Sequence, residues 1–336
     1  MSALNTPIDR SVRELRDHLP HADVERRAVL CATYALSRSD AAVTRAGLIA
    51  RALNASLLLV YVIDADKPLR AARRRGALAS SILDMHAREL ALSGVNAQVS
   101  IRSGRPHEVI AKAAVECDAD LIVLGPYRRS FADAVRGTTA ERIARRAERP
   151  VLVVNRQSTA PYFQVLLAAD LSPMTAGVGH VAKHLGLLKR SRAAVVHALD
   201  HTRKGMLYLA GLDDKGVDSY ERSMRQIALD ELGVQLASVG LEAKHFTVFS
   251  PQATPLRAIE RTAKLVDADL VVVGCSRFAE LKRVLFGSVS NGVLKTTEHD
   301  VLLVSPSAAR RARRRTSKLA LHRLETDSPQ QSLRLH

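Results

Sequence analysis

One kind of segment occurs twice in this chain, and the duplication constrains the fold more than any other feature. Residues 267–290 read DADLVVVGCSRFAELKRVLFGSVS, and residues 118–139 read DADLIVLGPYRRSFADAVRGTT. In each, a short apolar, β-branched run stops at a glycine (Gly274, Gly125) and crosses a more polar stretch. It then reaches Gly287-Ser288 or Gly137-Thr138, where a helical pattern begins. That is strand, loop and helix N-terminus. Such a junction can hold an anion, because the first helical turn has unpaired N–H groups and carries the positive end of the helix dipole.

The duplication reaches well beyond this segment. Pro106 and Pro255, Ile110 and Ile259, Asp118 and Asp267, Asp120 and Asp269, and Gly125 and Gly274 all stand 149 residues apart (255 − 106). After the loop the offset is 150 (298 − 148), for Glu148 with Glu298 and Val151 with Val301, so the first loop is one residue shorter. Nearer the start of each unit, Val29 with Val165 and Leu30 with Leu166 give 136 (165 − 29). The second unit is therefore longer by 13 residues (149 − 136) around its second helix. Registers held over this many positions mean an internal repeat.

Periodicity places strands in the first unit at 29–36, 57–63, 95–101, 121–124 and 151–154, alternating with helices at 40–53, 69–92, 106–117 and 138–149. Ser37 or Ser39 would cap the first helix. The second unit repeats the order, with strands at 165–170, 193–199, 244–249, 270–273 and 301–304 and helices at 175–187, 219–239, 255–265 and from 288. Strands apolar on both faces that alternate with helices predict a parallel sheet covered on both sides. The expected organisation is an N-terminal arm (1–26), a first domain (27–155), a second domain (162–306) and a basic, disordered tail (307–336).

The chain is 47% hydrophobic but only 4% aromatic, so its core must be aliphatic. Cys31, Cys117 and Cys275 lack the spacing of a zinc site or a disulfide framework. No apolar run suits a membrane span and residues 1–20 lack a signal-peptide core, so a cytoplasmic protein is expected. The net charge of +16 invites a nucleic-acid reading. Yet residues 310–336 alone hold eight Lys or Arg against two acidic residues, and a local cluster lies at Lys67, Arg70, Arg73, Arg74 and Arg75. Such runs are usually solvated faces, and nucleic acid is not the expected partner.

In order, and twice over, these motifs resemble the universal stress protein (UspA-type) family, and two tandem units resemble its E-type members. The matching residues are Asp170 with Ser172 after the second unit's first strand, Ser103-Gly104-Arg105-Pro106, both DAD segments and the two glycine loops. The resemblance spans about residues 27–306 and implies an α/β fold of two Rossmann-like units, each a five-stranded parallel sheet of order 3-2-1-4-5 with helices on both faces. It also implies ATP as the ligand. Asp170 would meet the adenosine end, while Gly274, Gly287 and Ser288 cradle the phosphates at the point where the winding of the sheet reverses. A glycine suits that cradle because a side chain would keep backbone N–H groups from the phosphate.

The chain departs from the pattern where a second loop glycine is usual: Arg277 stands there in the second unit and Arg128 in the first. Two readings stay open, in which Arg277 contacts a phosphate through its planar fork or fills the pocket and ends ATP binding. The first unit has Tyr34 where the second has Asp170, so phosphate binding at Gly125, Gly137 and Thr138 is not expected. His180 and His184 are four apart on a helix but lack the HExxH glutamate, and a surface pair is expected instead of a metal site. Cys275 reads as an ordinary loop cysteine, although a thiolate near a helix N-terminus is the alternative. Ser288 serves equally well as a simple helix cap. No catalytic constellation is visible.

The expected function is stress adaptation through nucleotide sensing or partner binding, without catalysis. The final strands of the two units would pair within the chain, with protein partners or further dimerisation beyond that. The alternatives are a nucleotide-independent interaction scaffold and a weak nucleic-acid binder acting through Arg310–Arg315 and Arg73–Arg75.

Overall fold

A computed structural model describes residues 27–33, 40–63, 69–126, 139–198, 204–241, 246–249, 253–275 and 288–326. In the first unit, β1 (Ala28–Ala32), α1 (Ala41–Leu53), β2 (Ser56–Ile63), α2 (Leu69–Leu92), β3 (Ala97–Ser103), α3 (Pro106–Glu116), β4 (Leu121–Leu124), α4 (Thr139–Arg146) and β5 (Val151–Val153) follow one another. The second unit comprises β6 (Gln164–Ala169), α5 (Pro173–His184), β7 (Arg192–His197), α6 (Lys204–Leu209), α7 (Asp214–Ala237), β8 (Phe246–Phe249), α8 (Pro255–Leu265), β9 (Leu270–Gly274), α9 (Ser288–Thr296) and β10 (Asp300–Val304). A last helix, α10 (Pro306–Thr326), ends the described chain.

The strands form one ten-stranded sheet in the order β3-β2-β1-β4-β5-β10-β9-β6-β7-β8. Every pairing inside a unit is parallel, and each unit has the expected order 3-2-1-4-5. The two units meet where β5 and β10 run antiparallel, with Val153 opposite Val301 and Val151 opposite Leu303.

Side chains alternate across a strand, so an unbroken apolar run supplies two cores at once. Val29 and Cys31 of β1 and Leu302 and Val304 of β10 face one core, which α1, α2, α5, α7 and α10 cover. Their neighbours Leu30, Ala32, Val301 and Leu303 face the other, which is covered by α3, α4, α8 and α9. Both cores run unbroken across the seam between the units.

Several local expectations are corrected. Asp40 caps α1, accepting from the Ala42 N–H (2.9 Å) and the Val43 N–H (3.3 Å), because the helix begins at Ala41 and so leaves both serines before the cap position. The 13 extra residues of the second unit appear as α6 and the turn before α7, which starts at Asp214 under an Asp213 cap instead of at Ser219. The largest correction concerns the tail, since residues 306–326 are helical. Ala308, Ala309 and Ala312 are buried, and Ser305 Oγ accepts from the Ala308 N–H (3.2 Å) beside Pro306. Small residues at that spacing give a charged helix a flat face to lay down. The arm (1–26) and both loops (127–138, 276–287) lie outside the described residues.

Candidate functional site

The winding of the second unit reverses between β6 and β9, which pair side by side up to Ala168 opposite Val273. Asp170 follows β6 directly, and Gly274 ends β9. The two therefore share the carboxyl rim of the sheet. From that rim α5 leaves to one face and α9 to the other.

Asp170 is exposed and shaped by its own turn. Its Oδ1 accepts from the Ser172 N–H (3.0 Å) and the Ser172 hydroxyl (2.6 Å). Ser172 in turn caps α5, accepting from the Met174 N–H (3.1 Å). Leu171 between them takes a left-handed φ of 60°, and its carbonyl accepts from Gln235 of α7 (3.0 Å). These contacts engage one carboxylate oxygen, and the other, Oδ2, has no hydrogen-bond partner among the described residues. On the neighbouring strand end, His197 Nδ1 lies 3.1 Å from the Ala169 carbonyl. That histidine lines the same rim and went unread in the sequence, since a residue ending a strand in an unremarkable run carries no motif.

The glycines behave differently from expectation. Neither Gly125 nor Gly274 is among the positive-φ residues. A Cβ on Gly274 would meet Met174 and Val178 of α5 at 3.4 Å, so its bare side faces helix packing and not the open rim. A Cβ on Gly125 would meet nothing within 4 Å. Ser288 is exposed and is the first residue of α9, inside the helix and not before it. Arg277 and Gly287, like Arg128, Gly137, Thr138 and Tyr34, lie outside the described residues. In the first unit Asp40 sits near the rim but is committed to capping α1, and the Thr33 hydroxyl donates to its second oxygen.

The DAD segments lie at the opposite, amino end of the strands. Asp118 and Asp267 both take φ 50° after their helices. Asp120 Oδ2 accepts from the Ala28 N–H (3.1 Å), while Asp269 accepts from the N–H groups of Phe163 (2.6 Å) and Gln164 (3.1 Å). The third residue of each motif thus fixes the start of its unit's first strand.

His184 is not a surface histidine. Its Nε2 lies 3.6 Å from Asp120 Oδ1 of the first unit, with both side chains buried, and its Nδ1 lies 3.2 Å from the Thr316 hydroxyl. Burial opposes ionisation of Asp120, but the His184 ring and the Arg315 guanidinium outweigh it and hold the carboxyl below its ordinary value. His180, one turn back, is pushed down by burial and by His184. Among the described residues no three His, Cys, Asp or Glu side chains could share a metal ion. Cys275 is fully buried, and burial pushes its thiol up to about 12, which removes it as a reactive thiolate.

The model of the Universal stress protein family matches residues 25–155 and again 161–305. The chain belongs to the universal stress protein family. Comparison with curated proteins returns no match. Among solved structures, the chain resembles a functionally unknown protein from Pseudomonas aeruginosa PAO1 at 22% identity and TM-score 0.57, covering 88% of this chain and 98% of that one. It also resembles a universal stress protein from Archaeoglobus fulgidus DSM 4304 at 17% identity and TM-score 0.60, covering 84% of this chain and 99% of that one. These likenesses extend over both universal stress domains and are likenesses of fold. The family match stops at residue 305, so α10 is an addition to the second universal stress domain.

Proposed function

We propose that the chain acts in stress adaptation as a non-catalytic nucleotide sensor whose ligand, ATP, binds the second domain. The observation that carries this reading is the exposed Asp170 carboxylate, whose Oδ1 is held by Ser172 at the switch point of the sheet while Oδ2 is without a hydrogen-bond partner among the described residues. Those residues fit a nucleotide: Oδ2 would accept from the nucleoside, and the exposed N-terminus of α9 at Ser288 would meet phosphate oxygens. Among the described residues the first domain offers no counterpart, since its rim acid Asp40 is spent on a helix cap. A ligand that binds only the folded chain raises its melting temperature, by roughly 2.7 kcal/mol of linkage at 100 times Kd. Millimolar ATP should therefore shift the melting temperature upward, and Asp170→Ala should abolish the shift. A native chain with no shift ends the nucleotide reading, and a shift that survives Asp170→Ala moves the site elsewhere.

A second reading, an interaction scaffold independent of nucleotide, is favoured by apolar side chains exposed on α6 and α7. Leu209 is 90% exposed, and Met206, Ile227 and Val234 are exposed with it. No helix among the described residues is long and apolar enough to cross a membrane.

A further inference from the structure

We propose that α10 is a binding helix for the phosphate backbone of double-stranded nucleic acid. Its five arginines between 310 and 315 are sorted by docking into two sets. Facing inward, Arg311 pairs with Asp118, and Arg315 pairs with Asp120 and with Asp118 (3.4 Å). These two charges are neutralised by the first unit, while Ala309 and Ala312 pack on α5 and Thr316 meets His184. Facing outward, Arg310, Arg313 and Arg314 are exposed and form no ion pair among the described residues. Ser317, also exposed, continues the same face.

The positions 310, 313, 314 and 317 are one and two helical turns apart, so the three guanidinium groups share one stripe. Docking holds that stripe on a fixed frame, which leaves little ordering to be done on binding. From Ser305 to Leu324 the sequence contains no acidic residue, and Lys318 falls four positions after Arg314. This density of uncompensated charge sits on an element that the family fold does not require.

The structure also selects among polyanions. A helix that enters a lipid surface needs a free apolar face. Among the side chains described, the apolar residues Ala308, Ala309 and Ala312 are used internally: Ala309 lies so close to Gly177 that a Cβ there would be 2.9 Å away. From 310 to 317 the exposed residues are three arginines, a threonine and a serine, none of them apolar. A row of cations on a rigid rod suits a duplex, which offers a phosphate charge about every 1.7 Å of its axis.

The test is fluorescence anisotropy of the full chain with a labelled mixed-sequence DNA duplex of about 25 base pairs, between 50 and 200 mM salt. Three neutralised phosphates give a slope of log affinity against log salt near −2.7, or about a 40-fold loss over that range. The variant Arg310→Ala/Arg313→Ala/Arg314→Ala keeps helix-forming residues at exposed positions and should keep its melting temperature. It should lose the binding at 50 mM salt. Absence of duplex binding by the native chain at 50 mM salt overturns the proposal, and so does binding that the triple variant retains. Binding to vesicles of anionic phospholipid without binding to duplex overturns it in favour of a lipid surface.

Discussion

Asp300 is an acid held on several sides at once. It is fully buried at the start of β10, where it accepts from the N–H groups of Asn155 (2.8 Å) and Arg156 (3.1 Å) and from the Tyr162 hydroxyl (2.6 Å). Arg45 of the first unit completes the group, with Nε 3.5 Å from the carboxylate and its guanidinium 3.9 Å from the Tyr162 ring centre. Asp300→Ala would strand a buried arginine and two backbone donors, which should cost about 3–5 kcal/mol in urea unfolding. Tyr162→Phe removes a single bond to a charged group and should cost about 1.5–3 kcal/mol. Little of this was legible, because Asp300 carries no motif and its hydrogen-bond donors come from 138 to 145 positions earlier in the chain, with Arg45 earlier still. The DAD acids were legible as markers only. Their spacing located β4 and β9, but a carboxylate that ties down a strand reads the same as one that binds a ligand.

At the scale of elements, the strands and most helices could be read directly, because alternating apolar runs and paired prolines leave few other solutions. Helix α10 could not be read, since its composition resembles a solvated tail and its order depends on partners far away in sequence. The decisive signals were there in Ala308, Ala309 and Ala312, yet they predict burial only once α5 presents Gly177 to receive them. Gly177→Val should therefore displace α10, at about 1–3 kcal/mol for overpacking. The sharper readout is limited trypsin digestion. Cleavage within 310–315 should be faster in the variant than in the native chain, and equal rates would show that α10 does not depend on this contact.

For the whole molecule, acid should be destabilising through groups that the fold keeps neutral. Burial is the leading cause that lowers His107, His180 and His299, with nearby arginines adding to the effect for all three. An unfolded chain would bind protons at these histidines near pH 6.5, above their folded values. More protons on the unfolded state mean that stability rises with pH across that window and is lost as pH falls below about 6.5. The melting temperature should thus drop between pH 7 and pH 5, and His180→Gln should shrink that drop. A drop of the same size in the variant would place the effect on other groups.

The seam between β5 and β10 has a further consequence, for stoichiometry. When two identical chains join edge to edge, whatever one half binds the other must bind as well. A join made inside one chain lifts that requirement, and the halves have used the freedom: Asp170 stands where the first unit has Tyr34. If the second domain alone takes the proposed nucleotide, each chain would bind one ligand, with a graded response to concentration where a symmetric pair could respond cooperatively. Its remaining outer strands, β3 and β8, are the only sheet edges among the described residues through which another copy could extend it.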